Sequence, residues 1–95
     1  MPEDKPSEII EPVIDEDVGT TFSSRVILYN DDWHTFDEVI EQLIKAINCS
    51  YEKARGFAFE VHTKGKSIVF NGDMASCLRV SSILEEIALH TQIVT

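Results

Sequence analysis

A chain of 95 residues that is 43% hydrophobic and 26% charged, with four glycines and three prolines, holds one domain and is neither collagen-like nor wholly disordered. Eight basic residues against 17 acidic ones give a net charge of −9, which repels phosphate and argues against nucleic acid and anionic membranes as partners. No apolar run nears the ~18 residues of a membrane span, and residues 1–7 lack the apolar stretch of a secretory signal, so a soluble cytoplasmic protein is expected.

The charge is uneven. Residues 1–24 hold seven acidic side chains against a lone Lys5, so −6 of the −9 lies there, together with Pro2, Pro6 and Pro12. Such a stretch buries too little surface to offset backbone ordering at about 1–2 kcal/mol per residue, and it reads as a flexible acidic extension preceding a core domain over 25–95. The β-branched run Arg25-Val26-Ile27-Leu28-Tyr29 then predicts a strand that stops at the turn-forming cluster Asn30-Asp31-Asp32. Thr35 with Glu38 three residues on fits a capping box. Phe36, Val39, Ile40, Leu43, Ile44 and Ile47 follow at helical spacing, the strongest periodic signal in the chain. Trp33, just before this helix, suits a hydrophobic staple.

Ser50 can cap a second helix running to about Thr63, with Ala54, Phe57, Ala58 and Val61 on its apolar side. Lys64-Gly65-Lys66 signals a turn, residues 67–70 a strand, and Asn71-Gly72 another stop. Asp73 can cap a third helix whose apolar face would comprise Cys77, Leu78, Val80, Ile83, Leu84 and Ile87, before a last strand from Thr91. The expected fold is α+β: a three-stranded, mostly antiparallel sheet packed against three helices in the order β-α-α-β-α-β. Cys49 and Cys77 show no CxxC spacing, which predicts two partly buried thiols and no disulfide or zinc framework.

The chain has no GxSxG, P-loop, GxGxxG or HExxH signature. One chemistry left to it is a small metal-dependent hydrolase built from Asp31, Asp32, His34 and His62, although their spacing matches no known ligand pattern. Another is capture of a cation. An amide and two carboxylates at a strand end offer converging oxygens to the three N–H donors of a peptide's α-ammonium group, which is largely charged at neutral pH. Asp31 or Asp32 could equally form an Asx-turn or cap the next helix. His62 could donate from its ring to a peptide carbonyl or to one of these carboxylates, or serve only in packing.

The stretch Val26-Ile27-Leu28-Tyr29-Asn30-Asp31-Asp32 with its following helix, and Ala58-Phe59-Glu60-Val61-His62 leading into Lys64-Gly65-Lys66, resemble the ClpS family of Clp protease adaptors over about residues 25–95. The resemblance implies a monomeric adaptor without catalysis or cofactor. It would bind the N-terminal residue of N-degron substrates, those starting with a bulky hydrophobic residue, and deliver them to a Clp AAA+ unfoldase of ClpA or ClpC type. It places the substrate's amine and first peptide bond on Asn30, Asp32 and His62, with Asp31 beside them. It places the first side chain in an apolar pocket of Phe36, Val39, Ala58, Val61 and Ile93, with His34 and Thr35 at the rim. Where family members often carry Thr-Pro-Met, this chain has His34-Thr35-Phe36, and Ala58 stands where methionine is common. An unfoldase-binding modulator without N-degron binding remains an alternative.

Overall fold

The structure, a computed structural model, describes residues 23–95, so the expected acidic extension lies, but for its last two residues, outside the described part. Six elements follow one another: β1 (Ser24–Tyr29), α1 (Phe36–Ile47), α2 (Tyr51–Lys64), β2 (Lys66–Gly72), α3 (Met74–Glu85) and β3 (Thr91–Val94). The order β-α-α-β-α-β and the three-stranded sheet agree with the sequence reading. In space the strands run β2-β1-β3 with both pairs antiparallel, which places β1 in the centre. Along β1, Ser24, Val26 and Leu28 are buried while Arg25, Ile27 and Tyr29 are half-exposed; the period of 2 expected of a sheet covered on one face is present.

The helices cover that face for local reasons. Thr35 Oγ1 accepts from the Glu38 backbone N–H at 3.1 Å and Glu38 Oε1 accepts from the Thr35 N–H at 2.8 Å, so the capping box that starts α1 is complete. Ile40, Leu43 and Ala46 bury the stripe behind it, and Phe36, Val39, Ile44 and Ile47 flank it. Ser50 caps α2, and Gly65, at φ +90°, ends it in the left-handed region that glycine tolerates. Cys49 and Cys77 are free, and Cys77 is fully buried; burial first, and then the Asp73 charge, push its thiol up, so it stays a protonated packing group.

Three expectations fail. Leu78 is 53% exposed; the buried stripe of α3 is Cys77, Val80, Ser81 and Leu84, the i, i+3, i+4, i+7 set, and Leu78 lies one residue, about 100°, off it. Ser81 takes the inward place because its hydroxyl pairs with Thr91 Oγ1 at 2.6 Å. The helix ends at Glu85, so Ile87 packs on the core from a turn. Trp33 is no staple, since it is 87% exposed.

Ala88 holds that turn at φ +65°, a conformation costing a non-glycine residue about 1–2 kcal/mol. Ala88→Gly is expected to stabilise the domain by about 0.5–1 kcal/mol in urea unfolding, strain relief outweighing the extra freedom of glycine in the unfolded chain. A lowered urea midpoint would show that the turn holds no such strain.

Candidate functional site

Where β1 ends, its backbone is fastened on both sides. The Tyr29 N–H donates to the His90 carbonyl at 3.0 Å and the Asn30 N–H to the Gly65 carbonyl at 2.9 Å. The second bond draws the Asn30-Asp31-Asp32 turn against the C-terminal end of α2, where Val61 and His62 occupy the last turn and Ala58 lies one turn earlier. The first turn of α1 completes the enclosure with Phe36 and Val39, three residues apart on one helix face. Arg55 of α2 sets its guanidinium 5.9 Å from the centre of the Phe36 ring, a cation–π contact that the sequence did not announce.

Together these groups line a cavity of about 450 Å³, formed by Asn30, Asp31, Asp32, His34, Thr35, Phe36, Val39, Ala58, Val61 and His62. Its size suits one side chain and the start of a peptide. Ile93 is not among the lining residues; it sits in β3, opposite Val26, on the far side of the central strand from β2, and packs on the core. A larger hollow of about 560 Å³ lies between the α1–α2 connection and β2, but its lining has no carboxylate and includes Lys53, the wrong sign for a cation.

The polar groups of the mouth differ in how they are committed. Asp31 Oδ1 accepts from the backbone N–H groups of Trp33 (2.9 Å) and His34 (3.0 Å), an Asx-turn, while Oδ2 meets His34 Nδ1 at 2.7 Å. The other ring nitrogen of His34 contacts the Ile87 carbonyl. Burial opposes the charged form of Asp31, yet the His34 and Trp33 N–H groups and the His34 ring outweigh it and hold the carboxyl below its ordinary value. Asp31 thus lines the cavity with its acceptors engaged, and its charge is met by His34. The side chains of Asn30, Asp32 and His62 make no hydrogen bond or ion pair with another described residue, and all three are exposed at the mouth.

This arrangement does not favour the hydrolase alternative. A metal held by Asp31, Asp32, His34 and His62 needs a free lone pair on His34, and both ring nitrogens are taken. Among the described residues no group of three or more His, Cys, Asp or Glu side chains is placed to hold a metal. No described helix is long and apolar enough to cross a membrane.

Comparison with known proteins is consistent with this geometry. The family model of the ATP-dependent Clp protease adaptor protein ClpS matches residues 21–92. The chain is 36% identical over 62 residues to the ATP-dependent Clp protease adapter protein ClpS of Wolinella succinogenes, covering 65% of this chain and 58% of that protein. It is 40% identical over 58 residues to the human E3 ubiquitin-protein ligase UBR2, covering 61% of this chain but 3% of the ligase. The fold matches that of Agrobacterium tumefaciens ClpS2, solved bound to L-phenylalaninamide, with a TM-score of 0.65 and 18% identity over 75% of this chain and 93% of that one. With 72 of its 95 residues matched by the family model, the chain belongs to the ClpS family of Clp protease adaptor proteins.

Proposed function

We propose that this protein captures the N-terminal residue of other polypeptides and delivers them to a Clp AAA+ unfoldase of ClpA or ClpC type, acting as a cytoplasmic monomer without a cofactor. The observation that carries this reading is the cavity of about 450 Å³, in which Asn30, Asp32 and His62, three polar side chains with no hydrogen-bond or ion-pair partner among the described residues, surround the mouth of a hollow walled by Phe36, Val39, Ala58 and Val61. Asp32 supplies the negative charge for the α-ammonium group, the Asn30 amide accepts from it, and His62 faces the first peptide bond. The apolar wall receives the side chain. L-phenylalaninamide, the ligand of the like-folded Agrobacterium protein, has a free α-amine, an apolar ring and an amide, as the first residue of a peptide does. The two kinds of relative, an adaptor of a protease and a ubiquitin ligase, are what a substrate-recognition module would serve.

The test is a peptide array that varies only the first residue, measured on the wild type and on Asp32→Ala. Bulky apolar first residues are expected to bind best. The substitution should weaken them by about 2 kcal/mol, the worth of hydrogen bonds to a charged group, with the fold unchanged because Asp32 is exposed. Binding indifferent to the first residue, or to the loss of Asp32, would refute the reading. A protein that held the unfoldase but no peptide would be a modulator instead.

A further inference from the structure

Among the described residues, His34 is the one polar residue of the cavity lining whose side chain bridges two distant parts of the chain. Its Nδ1 faces Asp31 Oδ2 at 2.7 Å, and its Nε2 faces the carbonyl of Ile87, 53 residues away, in the turn that Ala88 holds at φ +65°. Both partners are acceptors only. A neutral imidazole has one N–H and so satisfies one of them, leaving a lone pair against the other; the doubly protonated ring satisfies both. Asp31 in turn accepts the N–H groups of Trp33 and His34, so one unit of four residues joins the loop at 30–35 to the end of α3.

We propose that His34 is a positioning residue of the recognition site: as an imidazolium held between the Asp31 carboxylate and the Ile87 carbonyl, it locks the 30–35 loop onto the turn behind α3 and so sets where Asn30 and Asp32 stand at the cavity mouth. The inference rests on the peptide-recognition reading for its functional consequence, while the bridge itself is a matter of geometry. His34 touches neither the ammonium group nor the first side chain in this scheme; it acts through Asp31.

The surroundings agree in sign. Burial works against the charged ring, but the Ile87 carbonyl, the Asp31 carboxylate and the charge of Glu38 on the first turn of α1 outweigh it and raise His34 above its ordinary 6.5. Glu86, the neighbouring charge of the α3 turn, is occupied by Lys45 at 2.9 Å. A raised histidine contributes fully below its unfolded value and loses that contribution as pH rises through its folded one. The lowered Asp31 contributes above 3.8 and loses it as pH falls through its folded value. The bridge is therefore intact in the window between the depressed Asp31 and the raised His34 values.

The experiment uses the full chain, wild type and His34→Gln. Imidazole ¹H–¹⁵N spectra between pH 5 and 9 should show both ring nitrogens of His34 protonated past pH 6.5, and the backbone amide shifts of Asn30 and Asp32 in the peptide-free protein should follow the same titration. Affinity for a peptide with a free N-terminal phenylalanine should fall about three- to tenfold across that titration in the wild type, relative to a His34→Gln profile lacking this step. His62 and the peptide amine are common to both proteins and cancel in the comparison. A His34 ring that is neutral at pH 6, or Asn30 and Asp32 amides that ignore its titration, overturns the proposal. Absence of peptide binding in both proteins would defeat the recognition reading, and the amide shifts would still decide the bridge.

Discussion

Acetylating the amino terminus of a peptide that begins with a bulky apolar residue is expected to weaken its binding by at least about 100-fold, or ~2.7 kcal/mol. The free amine has a reference pKa of ~7.7–8.0 and is mostly an ammonium group at pH 7, with three donors and a full charge. In the proposed clamp each hydrogen bond from it to Asn30 or Asp32 would be worth about 1.5–3 kcal/mol, so losing two of them would exceed the 100-fold threshold. Acetylation leaves one N–H, removes the charge that the proposed clamp pairs with Asp32 and adds bulk to the end that enters the cavity. Fluorescence anisotropy with a dye at the peptide's far end measures both forms directly. Equal affinities would exclude an ammonium clamp whatever the fold. The same argument predicts that wild-type affinity declines further as pH rises past the amine's pKa.

The largest effect on stability is expected at Leu28. It is fully buried in the central strand, with Ser67 of β2 opposite on one side and Thr91 of β3 on the other. Both neighbouring strands are hydrogen-bonded to β1 and the helices lie above, so the backbone is poorly free to collapse into the space left by a truncated side chain. Leu28→Ala should therefore cost about 3 kcal/mol within the usual ~2–5, a large share of the roughly 5–15 kcal/mol by which native domains are stable. Ile27→Ala, on the half-exposed opposite face of the same strand, should cost about 1 kcal/mol or less. Urea midpoints at unchanged slope compare the two variants; equal losses would mean that the two faces of β1 are not the core and open faces described.

Local chemistry was readable residue by residue. The Thr35–Glu38 capping box, the apolar stripe from Phe36 to Ile47, the Ser50 cap and the Gly65 stop act within a few residues of sequence, and a single chain shows them. The polar mouth and apolar wall were legible for a related reason: they lie at element ends, Asn30 to Asp32 closing β1 and Ala58 to His62 closing α2, where turn and cap residues punctuate the chain. Ile93 lies outside the cavity lining, and no local signal shows that β3 pairs with β1 opposite Val26. Leu78 is apolar but lies about 100° off the buried stripe of α3, an angle its hydrophobicity does not reveal, and Ser81 turns inward where Thr91 meets its hydroxyl. Gln42 is similar, a buried amide whose Nε2 donates to the Ile83 carbonyl at 2.6 Å across the α1–α3 contact.

By itself, the sequence determined the α+β class, the element order and the set of polar and apolar side chains available to a site, since caps, turns and periodicity depend on neighbours a few residues away. Only the tertiary structure decided that β1 is the central strand and that His34 bridges to Ile87. Those outcomes depend on hydrogen bonds between groups as many as 63 residues apart, such as Tyr29 to Gln92, whose partners come together only when the sheet closes and the helices settle on it.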